Sequence, residues 1–392
     1  MTRPTRILEL RSVAGTGGGP DKTILLGAAH ADRSNFAVTV AYVRDARDRV
    51  FAIDAVARRA GVEYVEVNER HSFDWTVLPA LRQLVRARQT DIVHAHDYKT
   101  NLLALLLAFT EGVIPLTTAH GWSGHSWREQ SLYYPVDKRL MRGFPRVIVV
   151  SHEIAATLEA VGVPSDRIVV IPNGIDHSAD RRIRSRQARS RADFGLGDQD
   201  FVIGAVGRLG PEKRFDLLID VVARIASRRP DVRLVIAGDG PLRASLEARA
   251  SRAFKPGRCR LLGHCSDIAA LHHTLDLFVM SSDHEGSPNV VLEAMALETP
   301  IVSTAVGGAV HMIRDSADGL LVPAGLQVAL EYAIEIAIDD PEARRARARA
   351  ARLRVEREFS FAARQAALER VYEDLVANRH PGNNATATVV EA

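Results

Sequence analysis

Between Ser282 and Glu293 the chain reads Ser-Asp-His-Glu-Gly-Ser-Pro-Asn-Val-Val-Leu-Glu, with seven residues separating Glu285 from Glu293. An apolar run, Leu277–Met280, precedes it and reads as a strand. Glu285 is therefore expected in the loop beyond that strand, and a helix is expected to begin near Pro288. Ser287 is placed to cap this helix and Pro288 to open it. The backbone N–H groups of Asn289 and Val290 would then point outward from the positive end of the helix, a setting that binds a diphosphate. Glu293, in the second turn, suits a vicinal diol such as a ribose. A second run, Gly207-Arg-Leu-Gly-Pro-Glu-Lys-Arg-Phe215, places Arg208 and Lys213 between the strand Phe201–Ala205 and a helix starting at Phe215. Two cations fixed at a strand's end suit the oxygens of a leaving diphosphate. The plainer reading makes them surface charges; Lys213 is one of only five lysines, which favours a site.

A third run, Gly15-Thr-Gly-Gly-Gly-Pro-Asp-Lys-Thr23, follows the first apolar segment. It is not a P-loop, because Pro20-Asp21 stands ahead of Lys22, and Pro20 takes the place of the third glycine of a dinucleotide fingerprint. Glycine still permits close backbone approach to a phosphate, and Pro20 opens a helix. Fourth, His120 ends the apolar run before Gly121-Trp122. A lone histidine is more often structural than catalytic.

Taken in order, these runs resemble glycosyltransferase family 4, retaining enzymes of the GT-B fold whose signature Glu-x7-Glu is matched by Glu285 and Glu293. The resemblance covers about residues 6–376 and implies roles position by position. Arg208 and Lys213 would contact the donor phosphates, Gly18 and Gly19 would approach the same diphosphate, and His120 would sit beside the transferred sugar. Glu285 would position the sugar hydroxyls and Glu293 the ribose. Ser287, Asn289 and Val290 belong to the helix start that faces the donor, and the backbone at Leu262-Gly263-His264 would lie near the nucleobase. Asp91–His96, Val149–Ser151, Ile171–Asp176 and Ala237–Pro241 match further segments of the family. One departure stands out: after Val306-Gly307-Gly308 the family usually continues with Pro and Glu, whereas Val310 and His311 stand here.

The resemblance implies a metal-independent hexosyl- or N-acetylhexosaminyl-type transferase acting with retention, the leaving phosphate helping to take the acceptor's proton. A nucleotide-sugar is the co-substrate, UDP-sugar favoured over GDP-sugar, with no other cofactor. The acceptor would be a sugar or a lipid-linked acceptor, in polysaccharide or glycolipid synthesis. Two rivals use the same fold: a sugar-nucleotide epimerase, and a non-catalytic nucleotide-sugar-binding module. Glu-x7-Glu with Arg-x4-Lys argues against the first, and the intact positions Gly18, His120, Arg208, Lys213 and Glu293 against the second.

Elements able to hold such residues are legible in the periodicity. Short apolar runs at Ile7–Leu10, Ala37–Ala41, Tyr64–Val67, Asp91–His94, Leu116–Thr118, Val147–Val150 and Ile168–Ile171 alternate with helical patterns, as in a parallel sheet covered on both faces. The alternation restarts at Phe201–Ala205 and runs through Val232–Ala237, Leu277–Met280, Ile301–Ser303 and Gly319–Val322. The expected fold is therefore α/β, two doubly wound Rossmann-like domains; the resemblance adds that they face each other across a cleft and that a C-terminal helix returns to the first. Expected boundaries are 1–178 for an acceptor-binding domain, 179–199 for an Arg-rich linker and 200–358 for the donor-binding domain. A helix at 359–378 and a disordered tail at 379–392 follow.

The remaining composition mainly excludes. Basic and acidic residues number 51 and 48, a near-balance that speaks against nucleic acid as a partner. Two cysteines and a charged N-terminus point to a cytoplasmic protein without a disulfide framework. Metal is not expected: His94-x-His96 lacks further ligands in sequence, the Cys259, Cys265, His264, His272 and His273 group fits no zinc spacing, and Asp198-Gln-Asp200 precedes a strand and reads as a turn. The basic-aromatic stretch Trp127–Arg146 allows either a peripheral contact with the cytoplasmic face of a membrane or a helix packed on the sheet.

Overall fold

A computed structural model describes residues 3–13, 15, 17–71, 74–122, 129–177, 182–265 and 267–379. The chain divides into two compact units, Met1–Pro172 with Arg364–Ala392, and Asn173–Ala363. In the first, strands and helices alternate: β1 (Thr5–Ser12), α1 (Gly19–His30), β2 (Phe36–Asp45), α2 (Ile53–Arg59), β3 (Glu63–Glu69), α3 (Val77–Arg88), β4 (Ile92–Ala95), α4 (Tyr98–Glu111), β5 (Ile114–Ala119), α5 (Tyr134–Leu140), β6 (Val147–Val149), α6 (His152–Ala160) and β7 (Ile168–Val170). The sheet is parallel, in the order β3-β2-β1-β4-β5-β6-β7.

Side chains alternate along each strand, so the sheet has two buried faces. Leu8, Leu10, Val93, Ala95 and Val149 fill one, while Ile7, Ile92, Leu116 and Ile148 fill the other. The final helix, residues Phe361–Arg379, covers the second face with Leu368, Val371, Tyr372 and Leu375 and joins the first unit from Arg364 onward. The same alternation turns Glu9 and His94 toward this helix, opposite each other in register. Residues 380–392 of the expected tail lie outside the described residues.

The second unit contains α7 (Arg184–Asp193), β8 (Phe201–Val206), α8 (Phe215–Arg228), β9 (Val232–Ala237), α9 (Arg243–Ala253), β10 (Cys259–Gly263), α10 (Ile268–Thr274), β11 (Leu277–Met280), α11 (Asn289–Ala296), β12 (Ile301–Thr304), α12 (Ala309–Met312), β13 (Leu320–Val322), α13 (Gln327–Asp339) and α14 (Pro341–Glu358), with the final helix then numbered α15. Its parallel sheet runs β10-β9-β8-β11-β12-β13. Helix α8 shows why these segments are helical: Phe215, Leu218, Ile219, Val222, Ile225 and Ala226 recur at helical spacing, and all are buried. Both sheets reverse strand order once, between β1 and β4 and between β8 and β11. Ligands of open parallel sheets bind beyond the strand ends at such reversals.

The structure differs from the expected linker at 179–199. Within its described part, α7 packs on α10 in the second unit, which begins at Asn173 rather than near 200. Arg191 is buried, its guanidinium bonded to Asp276 Oδ2 at 2.6 Å and to the carbonyls of Gly197, Asp198 and Asp200 at 3.1–3.3 Å. Composition concealed this because a fork of five donors can replace an apolar side chain where carbonyls converge. Asp200 accepts from the Gly197 N–H at 2.8 Å and pairs with Arg233, so the Asp198-Gln-Asp200 stretch is a turn.

Helix α10 buries His272 completely, and among the described residues neither of its ring nitrogens has a hydrogen-bond partner. Burial, with Arg182 and His273 nearby, pushes its pKa down to about 3 from 6.5. Between those values the unfolded chain takes up a proton that the folded one refuses, so stability falls as pH drops through 6.5. At pH 5.5 the loss amounts to about 1.4 kcal/mol relative to pH 7.5. Urea unfolding of the wild type and His272→Leu at those two pH values should show this pH-dependent difference; equal pH slopes would refute it.

Candidate active site

Two loops of the second unit leave the strand ends at the reversal between β8 and β11. After β8, Gly207 leads to a tight turn at Pro211–Lys213, and Arg214 (φ 49°) starts α8 from the left-handed region. After β11, Ser281–Pro288 lead into α11. Side chains and backbone stitch the two loops together. Lys213 Nζ donates to Glu285 Oε1 at 2.6 Å, and Ser282 Oγ donates to the same oxygen at 2.6 Å. Ser281 Oγ donates to the Lys213 carbonyl at 2.8 Å, and the Asp283 N–H to the Glu212 carbonyl at 2.8 Å. Arg208 Nη2 bonds Glu212 Oε1 at 2.8 Å, and Arg214 Nη1 bonds Asp283 Oδ2 at 3.1 Å. These cations and carboxylates share one small area, with the Arg208 side chain half exposed and Lys213 and Glu285 mostly covered.

A third loop, after β12, packs on the second through glycine. Gly307 has φ 52°, and a Cβ built there would stand 1.9 Å from the Glu285 carbonyl oxygen. The Gly308 N–H donates to the Gly286 carbonyl at 2.6 Å. Past this contact, where the sequence departs from the family it resembles, α12 forms nonetheless, and Val310 and His311 are exposed on it. On the far side of β8, a Cβ at Gly238 (φ 141°) would stand 1.8 Å from the Gly207 carbonyl oxygen. The loops at this end of the sheet are therefore seated backbone against backbone.

Helix α11 corrects one expectation. Pro288 occupies the cap position and no side chain caps the helix; Ser287 does not serve there. Instead Ser287 Oγ accepts the Asn173 N–H at 3.1 Å, and its carbonyl accepts from Asn173 Nδ2 at 2.9 Å. The extended backbone at Pro288 is what starts the helix, so a serine beside a proline was read as a cap when it is a strut. Val291, Leu292, Ala294, Met295 and Ala296 are buried, whereas Asn289, Val290 and Glu293 share the half-exposed face. The first-turn N–H groups of α11 and the Glu293 carboxylate thus lie along one side of the helix. His264, just past β10, is exposed.

Gly18, Gly19 and His120 belong to the first unit. Helix α1 begins at Gly19, one residue before Pro20, with Gly18 as its cap. The Gly18 N–H turns back onto Asp21 Oδ2 at 2.6 Å, so in this arrangement the amide is used inside its own loop. Asp21 is buried, pairs with Arg11 Nε at 2.6 Å and accepts from Tyr42 Oη at 2.8 Å. His120 follows β5 and lies against His96, with Nε2 3.1 Å from His96 Nδ1, and His96 Nε2 is 2.5 Å from Glu9 Oε2. Burial, reinforced by His96, Arg11 and Arg364, holds the His120 pKa well below its usual value. Burial and the neighbouring His94 push His96 down to about 4. Burial alone would raise Glu9, but the facing His94 and His96 outweigh it and keep the carboxyl ionised. Sequence reasoning missed Glu9 and Asp21. A glutamate inside the apolar run Ile7–Leu10 was the available signal.

Comparison with known proteins bears on both units. The family model "Glycosyltransferase Family 4" matches residues 17–179, and "Glycosyl transferases group 1" matches 186–354. EpsD of Bacillus subtilis (strain 168), whose name places it among the glycosyltransferases, is 31% identical over 284 residues, covering 70% of this chain and 74% of that protein. The chain belongs to glycosyltransferase family 4. The glycosyltransferase is also similar to the UDP-Gal:alpha-D-GlcNAc-diphosphoundecaprenol alpha-1,3-galactosyltransferase of Escherichia coli, at 28% identity over 64% of this chain and 66% of that one. Among solved structures, Anabaena HepE in complex with UDP-glucose superposes with a TM-score of 0.83 at 21% identity, covering 94% of this chain and 99% of HepE. That likeness shows the GT-B fold for this glycosyltransferase.

The glycine contacts give a sharp contrast between two substitutions. Gly307→Ala adds a backbone clash to left-handed strain and should destabilise the second unit by at least about 2 kcal/mol. Gly257→Ala, at φ 79° with nothing within 4 Å, meets only the strain, and should cost about 1 kcal/mol. Urea unfolding of both variants measures this, and equal losses would contradict the tight seating of the Glu285 loop.

Proposed function

We propose that this glycosyltransferase moves a hexosyl or N-acetylhexosaminyl group from a UDP-sugar, with retention and without a metal ion, onto a sugar or lipid-linked acceptor. The observation that carries the reading is the Lys213–Glu285 contact beside the α11 N-terminus, at the strand reversal of the second unit. Arg208, Lys213 and the first-turn N–H groups of α11 supply positive potential for a diphosphate, the part played elsewhere by a bound cation. As the bond to the sugar breaks, negative charge grows on the leaving phosphate, and the two side chains stabilise it most at that point. Glu285, held through Oε1 by Lys213 and Ser282, is assigned the sugar hydroxyls. Glu293 on the half-exposed face of α11 is assigned the ribose, and the backbone at His264 the nucleobase.

Retention and the acceptor class draw on the relatives. The name of the Escherichia coli relative specifies UDP-Gal, an α-1,3 linkage and a diphosphoundecaprenol-linked acceptor, and HepE was solved with UDP-glucose. Those properties support a UDP-sugar over a GDP-sugar here, and polysaccharide or glycolipid synthesis as the setting. The leaving phosphate, on the same face as the incoming hydroxyl, would help to take its proton. His120 is assigned to a hydroxyl of the transferred sugar.

A peripheral membrane contact is a second reading for part of the first unit. Leu132 and Val136 are exposed by 53% and 45%, close to the stacked rings of Tyr98 and Tyr133. Lys138 lies over the Trp122 ring, and Met141 and Phe144 are buried in the core, while Arg139 and Arg142 are exposed. Trp127 and Arg128 lie outside the described residues. Among the described residues no helix is long and apolar enough to cross a membrane.

A thermal-shift screen of UDP-, GDP- and ADP-sugars in EDTA tests the donor assignment, since a ligand that binds the folded chain raises its melting temperature. A UDP-sugar should stabilise the enzyme without added metal; stabilisation by GDP-sugars alone, or only with magnesium or manganese, would count against the reading. With the donor so identified, Glu293→Ala should raise KM about tenfold or more, because a ribose contact is equal in ground and transition states. Arg208→Ala should instead lower kcat, by about a hundredfold. The reverse pattern would show the two roles to be exchanged.

A further inference from the structure

The first unit buries a polar cluster that the diphosphate site does not use. Glu9 on β1, His94 and His96 at the end of β4, Thr118 on β5 and Tyr372 on α15 meet at the strand reversal, with His120 at the margin. Glu9, His94 and His96 are all buried. An ionised carboxylate in such a place is tolerated only when both oxygens are hydrogen-bonded. Here Tyr372 Oη donates to Oε1 at 2.7 Å and His96 Nε2 donates to Oε2 at 2.5 Å.

These bonds assign the hydrogens one after another. Tyr372 gives its proton to Glu9, so its oxygen accepts from His94 Nδ1 at 2.9 Å, and His94 Nε2 accepts from Thr118 Oγ1 at 2.7 Å. His96 uses its Nε2–H on Glu9; in a neutral ring Nδ1 is then a bare lone pair. That lone pair faces His120 Nε2 at 3.1 Å, a contact that needs a single hydrogen between the nitrogens. The hydrogen must therefore come from His120. Its other nitrogen, Nδ1, is buried and without a partner among the described residues.

We propose that Glu9 and His96 are positioning residues that hold His120 as its Nε2–H tautomer, so that Nδ1 accepts a hydrogen bond from a hydroxyl of the transferred sugar. The ligand half of this inference rests on the reading of His120 as the residue beside that sugar. Burial and Arg11 disfavour the protonated form of both rings, with His94 adding to this at His96 and Arg364 at His120, which fits the same arrangement. A metal shared by Glu9, His94 and His96 is the competing explanation, because the three side chains converge. Tetrahedral ligands about 2.0–2.1 Å from zinc lie about 3.3 Å apart. Glu9 Oε2 lies 3.2 Å from His94 Nδ1, near that spacing, but only 2.5 Å from His96 Nε2, a spacing that holds a proton.

The test is nitrogen NMR on the full chain labelled with [15N]histidine at neutral pH, with His120 and His96 assigned from His120→Ala and His96→Phe. Expected are a protonated Nε2 and a bare Nδ1 on His120, and a coupling across the hydrogen bond from His120 Nε2 to His96 Nδ1. In His96→Phe the coupling vanishes and His120 becomes a mixture of tautomers. An Nδ1–H or doubly protonated His120 in the wild type would overturn the proposal. So would a pattern lost in EDTA and restored by zinc, which would install the metal instead. With the donor from the screen, His96→Phe should lower kcat about tenfold or more while KM stays within about threefold. An unchanged kcat would reject the ligand half. The spectra need no donor, so a failed screen would strike the proposed reaction and leave the tautomer to be judged on its own.

Discussion

Backbone must touch backbone for the second unit's site to exist. Glu285 can meet Lys213 only because its loop is pressed from behind by the turn after β12, at a separation that excludes a Cβ from position 307. The same constraint acts at Gly238 against Gly207. Parallel strands end side by side at the reversal between β8 and β11, and their loops compete for one small volume. Glycine settles the competition by giving up its side chain at the contact points. Charged side chains then fill the remaining space in pairs, Lys213 with Glu285 and Arg208 with Glu212. Both cations stand at the end of the sheet where the diphosphate is proposed to bind, and this is the physical link between the packing of the loops and the proposed chemistry.

The first unit solves a different problem at the equivalent place in its own sheet. There the reversal buries a carboxylate, and a chain of hydrogen bonds through two imidazoles and a tyrosine makes the burial tolerable. Helix α15 contributes directly to that arrangement, since Tyr372 donates to Glu9 Oε1. The helix that seals the apolar face of the sheet is thus also the one that completes its polar cluster. Stability and side-chain orientation are inseparable at this position.

Much of this was legible in the sequence. Apolar runs of strand length alternating with helical periodicity announced two parallel sheets, and polar residues just past the runs marked the ends at which to look. Arg208, Lys213 and Glu285 come together in the structure as their positions after β8 and β11 suggested. The stretch carrying α7 reads as a solvated helix or linker because arginine and serine offer no apolar face, and only Asp276 and the converging carbonyls of 197, 198 and 200 show why Arg191 is buried. Ser287 was misread because a serine ahead of a helix can cap it or hold a segment distant in sequence, here Asn173, and sequence alone does not separate the two. Glu9 was passed over because its partners are distant in the chain. His94 and His96 were weighed for metal, and the contact that explains them, with Glu9, appears only when β1 and β4 pair.

The central claim is that the chain transfers a sugar with its anomeric configuration retained, using residues of this site and no enzyme carboxylate as nucleophile. The most direct measurement is proton NMR of the free sugar first released when the enzyme slowly hydrolyses its α-linked UDP-sugar, recorded before mutarotation. Initial release of the α anomer, lost in Lys213→Ala, is the predicted result. Initial release of the β anomer would contradict the account.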